Sequence, residues 1–177
     1  MRKLRVEELG RVDVDTYRKQ PKYPIVIVLD QVRSMHNVGA VFRSSDAFNI
    51  EKIYLCGITP TPPHREIRKT AIGAEESVSW EYVSNTLDIA QQLKASDYQL
   101  IAIEQTEHPT ILYEWKPDKD QKYALILGHE ITGVDQKILD ICDLAVEIPQ
   151  FGTKHSLNIS VAAGIVMNHL VMFFQTK

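Results

Sequence analysis

The amino-acid sequence predicts an α/β domain in which a mostly parallel β-sheet is flanked by helices. Short unbroken apolar runs rich in β-branched residues recur along the chain, as expected of strands covered on both faces. Between them lie segments whose apolar residues return at helical spacing, and strands alternating with helices give a parallel sheet. The length of 177 residues, with 44% hydrophobic and 24% charged residues, suits one domain with a sizeable core.

Residues 1–24 are charged and weakly periodic and end in Pro21-Lys22-Tyr23-Pro24, so they read as a basic N-terminal arm with a short helix at most. The domain is therefore expected over 24–177, after an arm over 1–23. Residues 25–29 form the first buried strand. A polar loop from Asp30 leads into a helix on which Val38, Val41, Phe42 and Ala47 share a face, with Asn37 as the expected cap. Residues 53–56 form a second strand, and 57–64, with three prolines and a glycine, form an exposed loop. A short helix over 65–71, an alternating strand over 78–83, an amphipathic helix over 86–95 and a strand over 100–103 continue the pattern. The stretch 115–122 carries no strong signal. A strand over 124–127 ends at a turn bracketed by Gly128 and Gly133, followed by a helix around 135–141 and a strand over 144–148. Pro149 and Gly152 break that strand into a polar loop, and Ser156 and Asn158 are residues of helix starts. The last helix, about 158–174, is apolar nearly all round, so it is expected to be buried in the domain or against a partner subunit.

Nothing in the sequence has the length of a membrane span or the pattern of a secretory signal, so a cytoplasmic location is expected. Cys56 and Cys142 form no framework and no metal-ligand spacing, and are read as reduced core residues. The net charge of −3 is unevenly spread: residues 1–80 hold 13 Lys and Arg against 10 Asp and Glu, whereas 81–177 hold 7 against 13. The basic excess includes the arm and Arg65, Arg68 and Lys69, a pattern that suits phosphate contact.

Three polar, glycine-bearing turns follow buried strands, and parallel strands bring such turns to one edge of the sheet. None has P-loop or dinucleotide-binding spacing. Asn37-Val38-Gly39-Ala40-Val41-Phe42-Arg43, Leu127-Gly128-His129-Glu130-Ile131-Thr132-Gly133, and Ile148-Pro149 with Gly152 and Ser156-Leu157-Asn158-Ile159-Ser160-Val161-Ala162 resemble the three motifs of the SpoU (TrmH-like) RNA 2′-O-ribose methyltransferases of the SPOUT superfamily. The resemblance runs from Pro24 to the C-terminus. It implies a trefoil knot in the C-terminal part of the chain, which general chain-threading rules would not suggest. It also implies S-adenosylmethionine as cofactor, structured RNA (tRNA or rRNA) as substrate, and a homodimer whose active site draws on both chains; no metal is expected, since neither the cysteines nor the histidines have metal-ligand spacing.

Carried onto this sequence, the resemblance implies cofactor contacts from Ile103, Glu104, Leu127, Gly128, Gly133, Ile148, Ser156 and Leu157, with glycines 128, 133 and 152 allowing close backbone approach. Arg43 matches the catalytic arginine. As a proton acceptor its guanidinium is a poor choice, so phosphate gripping and stabilisation of the developing alkoxide are preferred. Asn37 and Glu130 would position groups, Ser156 and Asn158 would complete the reacting pocket, and Arg65, Arg68, Lys69 and Lys154 would contact RNA. His36, His129 and His155 lie beside the motif turns but are not required by the family pattern. Gln150 and the segment 151–155 depart from commoner family versions, in which methionine often follows the proline. The alternatives are a non-catalytic RNA-binding or assembly module of the same fold, against which the retained polar residues count, and a base methyltransferase.

Overall fold

Alternate residues of the first strand enter two different cores in the computed structural model, which describes residues 1–176. The strands are β1 (Tyr23–Asp30), β2 (Ile50–Cys56), β3 (Trp80–Val83), β4 (Tyr98–Ile103), β5 (Thr110–Ile111), β6 (Lys122–Leu127) and β7 (Leu144–Glu147). The helices are α1 (Val14–Lys19), α2 (Met35–Ala47), α3 (Arg65–Ala71), α4 (Ala74–Ser77), α5 (Thr86–Ala95), α6 (Gln136–Leu139) and α7 (Ile159–Gln175), after a 3₁₀ turn at Val6–Leu9. Ile25, Ile27 and Leu29 pack with Val41 and Phe42 of α2, Ile67 of α3 and Val166 and Leu170 of α7. Val26 and Val28 point the other way, to Ile89, Ala90 and Leu93 of α5 and Ile138 of α6. A strand covered on both faces has no polar side to show, which is why this one reads as an unbroken apolar run.

The sheet order is β3-β2-β1-β6-β4-β7-β5, and all six strand pairings are parallel. Every strand therefore presents its carboxyl end at the same edge. The late strand β6 lies between β1 and β4, where the sequence of crossovers changes direction, and open α/β sheets bind ligands at such a place. Asp30, buried at the end of β1, accepts hydrogen bonds from Thr86 Oγ1 (2.6 Å) and the Asp135 N–H (3.2 Å). It thereby ties the starts of α5 and α6 to the edge that carries the loops.

Several elements differ from expectation for local reasons. Asn37 does not cap α2: Ser34 does, its side chain accepting from the Asn37 N–H, so the helix begins one turn earlier and Asn37 sits within its first turn. Strand β2 begins at Ile50 because its charged residues find partners there, Glu51 with the Tyr98 hydroxyl and Lys52 with Glu81. Strand β3 is shorter than expected, since Val78 ends α4 instead, and the two-residue edge strand β5 has no sequence signal. Asp135 caps a four-residue α6 rather than opening a longer helix.

Within the expected arm, Tyr17 is buried in the core against α2, its hydroxyl donating to the Asp46 carbonyl (3.1 Å), and Lys22 bonds back to the Tyr17 carbonyl (2.7 Å). Helix α7 buries Ile159, Ala163, Val166, Met167, Leu170 and Val171 and leaves Val161 and Met172 exposed. Cys56 is buried and Cys142 half-buried, both as free thiols. Lys177, the last residue of the expected domain, lies outside the described residues.

Candidate active site

A cavity of about 530 Å³ opens at the carboxyl ends of β4, β6 and β7, a size in the ordinary range for small-molecule sites. Its walls include Ile103 at the end of β4 and Glu104 just after it, Leu127, Gly128, Glu130 and Gly133 around the β6 turn, Ile148, Ser156, Leu157 and Asn158 of the last loop, and Asn37 from α2. The three motif turns, separated by up to about 120 positions in sequence, thus meet at one opening because parallel strands share an edge.

The β6 turn is closed on itself. His129 and Gly133 exchange backbone hydrogen bonds of 3.0 and 2.9 Å. A Cβ on Gly128 would fall 2.1 Å from the Gly133 carbonyl carbon, so only glycine permits this closure. Gly133 has φ +70°, and a Cβ there would meet Glu104 Oε2 at 2.2 Å. Glu104 itself accepts from the backbone N–H groups of Val134 (3.0 Å) and Gln105 (2.9 Å). Its carboxylate lines the cavity but is engaged in holding the turn. The His129 ring accepts from the Ile131 N–H (3.1 Å) through Nδ1, which leaves the proton of a neutral ring on Nε2 and makes this histidine a brace of the turn.

The polar mouth of the cavity is one continuous chain of hydrogen bonds. Glu130 accepts from the N–H groups of Arg33 and Ser34 (both 3.0 Å) and from Asn37 Nδ2 (3.1 Å). Asn37 Oδ1 accepts from Asn158 Nδ2 (3.0 Å), and Asn158 Oδ1 accepts from the Ser160 N–H (2.8 Å), capping α7. Each motif therefore fixes the side-chain orientation of the next. Partial burial opposes ionisation of Glu130, but the N–H donors of Arg33 and Ser34 outweigh it and hold the carboxyl below its ordinary range. An ionised Glu130 keeps Asn37 aimed with its oxygen toward Asn158.

Other expected residues are placed differently. Arg43 is exposed on α2, outside the cavity wall, and forms no hydrogen bond or ion pair among the described residues. Gly152 stands in open space, so nothing around it requires glycine there. Arg68 is paired with Glu76 (2.9 Å) and Lys69 with Glu66 (2.7 Å), so the basic segment expected to face phosphate is largely neutralised by its own carboxylates. Arg65 and Lys154 are exposed and make no such pair among the described residues. His36 is joined to Glu66 (3.0 Å).

Sequence reasoning missed Gln105, whose side chain donates to the His155 carbonyl (2.8 Å) and ties the loop after β4 to the last loop, and it missed Arg33 and Ser34 as backbone donors. Position directly after the strand-end Glu104 is the one cue that could have singled out Gln105.

The family model described as the SpoU rRNA Methylase family matches residues 24–168. The chain is similar to 23S rRNA (guanosine-2′-O-)-methyltransferases RlmB, at 29% identity over 82% of this chain and 57% of the relative in Neisseria meningitidis. Against the Pasteurella multocida protein the identity is 30%, over 93% of this chain and 66% of the relative. The chain thus spans about three fifths of the length of these curated relatives. Among solved structures, the TrmH/SpoU tRNA modifying enzyme of A. aeolicus superposes with a TM-score of 0.79 at 25% identity, covering 92% of this chain and 80% of that one. The SpoU methyltransferase AviRb from Streptomyces viridochromogenes, in complex with the cofactor AdoMet, shares the fold with a TM-score of 0.73 at 22% identity, covering 90% of this chain and 64% of that one.

Proposed function

Because the chain belongs to the SpoU rRNA methylase family, we propose that it is an RNA 2′-O-ribose methyltransferase that uses S-adenosylmethionine and acts on rRNA or tRNA in the cytoplasm. The observation that carries this reading is the hydrogen-bonded chain from Glu130 through Asn37 to Asn158 at the mouth of a glycine-walled cavity. No helix among the described residues is long and apolar enough to cross a membrane.

The cavity suits the cofactor. Ile103, Leu127, Ile148 and Leu157 supply apolar walls for a flat ring, and at Gly128, where no Cβ fits, the wall is bare backbone that a nucleoside can approach closely. When bound, S-adenosylmethionine supplies an electrophilic methyl group. The residues of the chain have the remaining tasks. Asn37 and Asn158, locked by Glu130 and the α7 cap, orient the ribose, and Ser156 on the cavity wall contacts the reacting groups. Arg43, always charged, grips the adjacent phosphate and stabilises the developing alkoxide without serving as proton acceptor.

Arg43 lies outside the cavity of its own chain, and in this reading it serves the cavity of a second copy. The exposed apolar residues Val161 and Met172 on α7, the helix that packs beside α2, support a homodimer. The C-terminal trefoil knot belongs to the same reading, as the family resemblance implies it.

The test is Arg43→Ala. Methyl incorporation into rRNA and tRNA transcripts should fall by about 10²-fold or more, the scale of losing an oxyanion-type donor, while calorimetric binding of S-adenosylmethionine persists. Full turnover by the variant would remove Arg43 from the mechanism. A wild-type protein with no saturable cofactor binding would sink the methyltransferase reading itself.

A further inference from the structure

Methyl transfer to a ribose 2′-oxygen releases the hydroxyl proton, and Arg43, always charged, does not take it. A positioned general base for such a proton is worth about 10²- to 10⁴-fold in rate, and its ideal pKa lies near the operating pH. The acceptor has to stand on the wall of the active-site cavity. Among the described residues, the titratable ones on that wall are Glu104, His129, Glu130, Glu147 and His155.

Four of these five are unsuited. Both oxygens of Glu104 accept backbone N–H groups, from Gln105 (2.9 Å) and Val134 (3.0 Å). Glu130 holds three donors, and its carboxyl, kept below the ordinary range, is a weak base. His129 accepts the Ile131 N–H at Nδ1 (3.1 Å), so a neutral ring carries its proton on Nε2 and has no lone pair left to offer. Glu147 ends β7 and is partly buried, and a carboxylate is a weaker base than an imidazole by about two pKa units.

His155 differs from all of them. It is exposed, and its ring forms no hydrogen bond or ion pair among the described residues, so its acceptor nitrogen is free in either tautomer. Its backbone is fixed, because the His155 carbonyl accepts from Gln105 Nε2 (2.8 Å) and so ties the residue to the loop after β4. The next residue on the same wall is Ser156, and adjacent Cα atoms lie about 3.8 Å apart, which sets the imidazole beside the groups that Ser156 contacts.

We propose that His155 is the general base of the methyl transfer. The proposal rests on the RNA 2′-O-ribose methyltransferase reading. A ring nitrogen of His155 takes the 2′-hydroxyl proton, the electron pair of the oxygen forms the O–CH₃ bond, and the S–CH₃ bond breaks with its electron pair left on sulfur. The imidazolium then gives its proton to solvent, which the exposure of His155 permits. The charged groups on the shared wall are Glu104, Glu130 and Glu147, and Lys154 adjoins His155 in the chain.

The test is the pH dependence of single-turnover methyl transfer to rRNA and tRNA transcripts, with RNA and S-adenosylmethionine saturating. The base must be neutral to act, so the wild-type rate should be full in alkali and fall as pH drops from about 8 to 5, the span over which histidine takes up a proton. His155→Asn should lower the rate about 10²-fold or more and abolish that acid limb, with the affinities for S-adenosylmethionine and RNA unchanged. Millimolar imidazole should restore part of the rate of His155→Ala, a rescue that a merely structural role does not give. A further readout is independent of turnover: RNA transcript with S-adenosylhomocysteine should protect His155 of the wild type from diethyl pyrocarbonate, read by peptide mass spectrometry. A rate independent of pH over that span, an acid limb only below about pH 5 that marks a carboxylate, a limb that survives His155→Asn, or full labelling of His155 with RNA bound would overturn the assignment. Each of these leaves the methyltransferase reading standing. A wild type that neither binds S-adenosylmethionine nor methylates RNA would strike that reading, and the assignment with it.

Discussion

Glu130 shows what one side chain does when two backbone donors and an amide converge on it. Its carboxylate accepts from the N–H groups of Arg33 and Ser34, just ahead of α2, and from Asn37, so it acts much as a cap does and also sets the active-site amides. Glu130→Ala should cost about 1 kcal/mol of stability, the scale of a lost cap, and should lower kcat more than it lowers cofactor affinity. Because the folded-state carboxyl is held below the ordinary range, its contribution is full above the unfolded value of about 4.3 and disappears as pH falls through the lower folded value. Chemical denaturation of wild type and Glu130→Ala from pH 7 to pH 3 should show two stabilities that differ at neutral pH and converge in acid. A gap that is constant with pH would mean that ionisation of Glu130 is irrelevant to the fold.

At the scale of elements, α7 has one face in the core and another that none of the described residues covers. Val161 is 49% exposed and Met172 50% exposed, three turns apart on a helix whose remaining apolar residues are mostly buried. The uncovered residues share a side of the helix, as spacings near multiples of 3.6 require. The double variant Val161→Asp with Met172→Lys should be monomeric by light scattering and retain the wild-type circular dichroism, since exposed substitutions usually change stability by no more than about 0.5 kcal/mol. A dimer that survives both charges would place the interface elsewhere. The β6 turn is the opposite kind of element, with no spare room: the His129–Gly133 closure, the positive φ of Gly133 and the Glu104 brace admit one local geometry.

For the whole molecule, the proposed arrangement of Arg43 acting on a second copy has a direct consequence. Arg43→Ala and Gly133→Ala should each be inactive, one lacking the arginine and the other the cofactor turn. Mixed and allowed to exchange subunits, they should regain about a quarter of wild-type activity, the statistical share of intact sites in a two-fold dimer. No recovery under conditions where subunit exchange is demonstrated would confine the active site to a single chain. Much of the architecture was legible in the sequence, because buried parallel strands such as 25–29 and 124–127 must be apolar on both faces, and Gly128 and Gly133 stand where the backbone closes on itself. The two-residue β5 and the true cap of α2 were not, since a strand that short has no period and Ser34 and Asn37 are equally good capping types. By itself the sequence determined the α/β class, the family motifs and the identity of the residues that meet at the cavity. Only the tertiary structure decided that Arg43 lies outside that cavity and that Arg68 and Lys69 are occupied by carboxylates. Strand order and helix register set distances between residues far apart in the chain, and charge, burial and hydrogen-bond partners depend on those distances rather than on residue type.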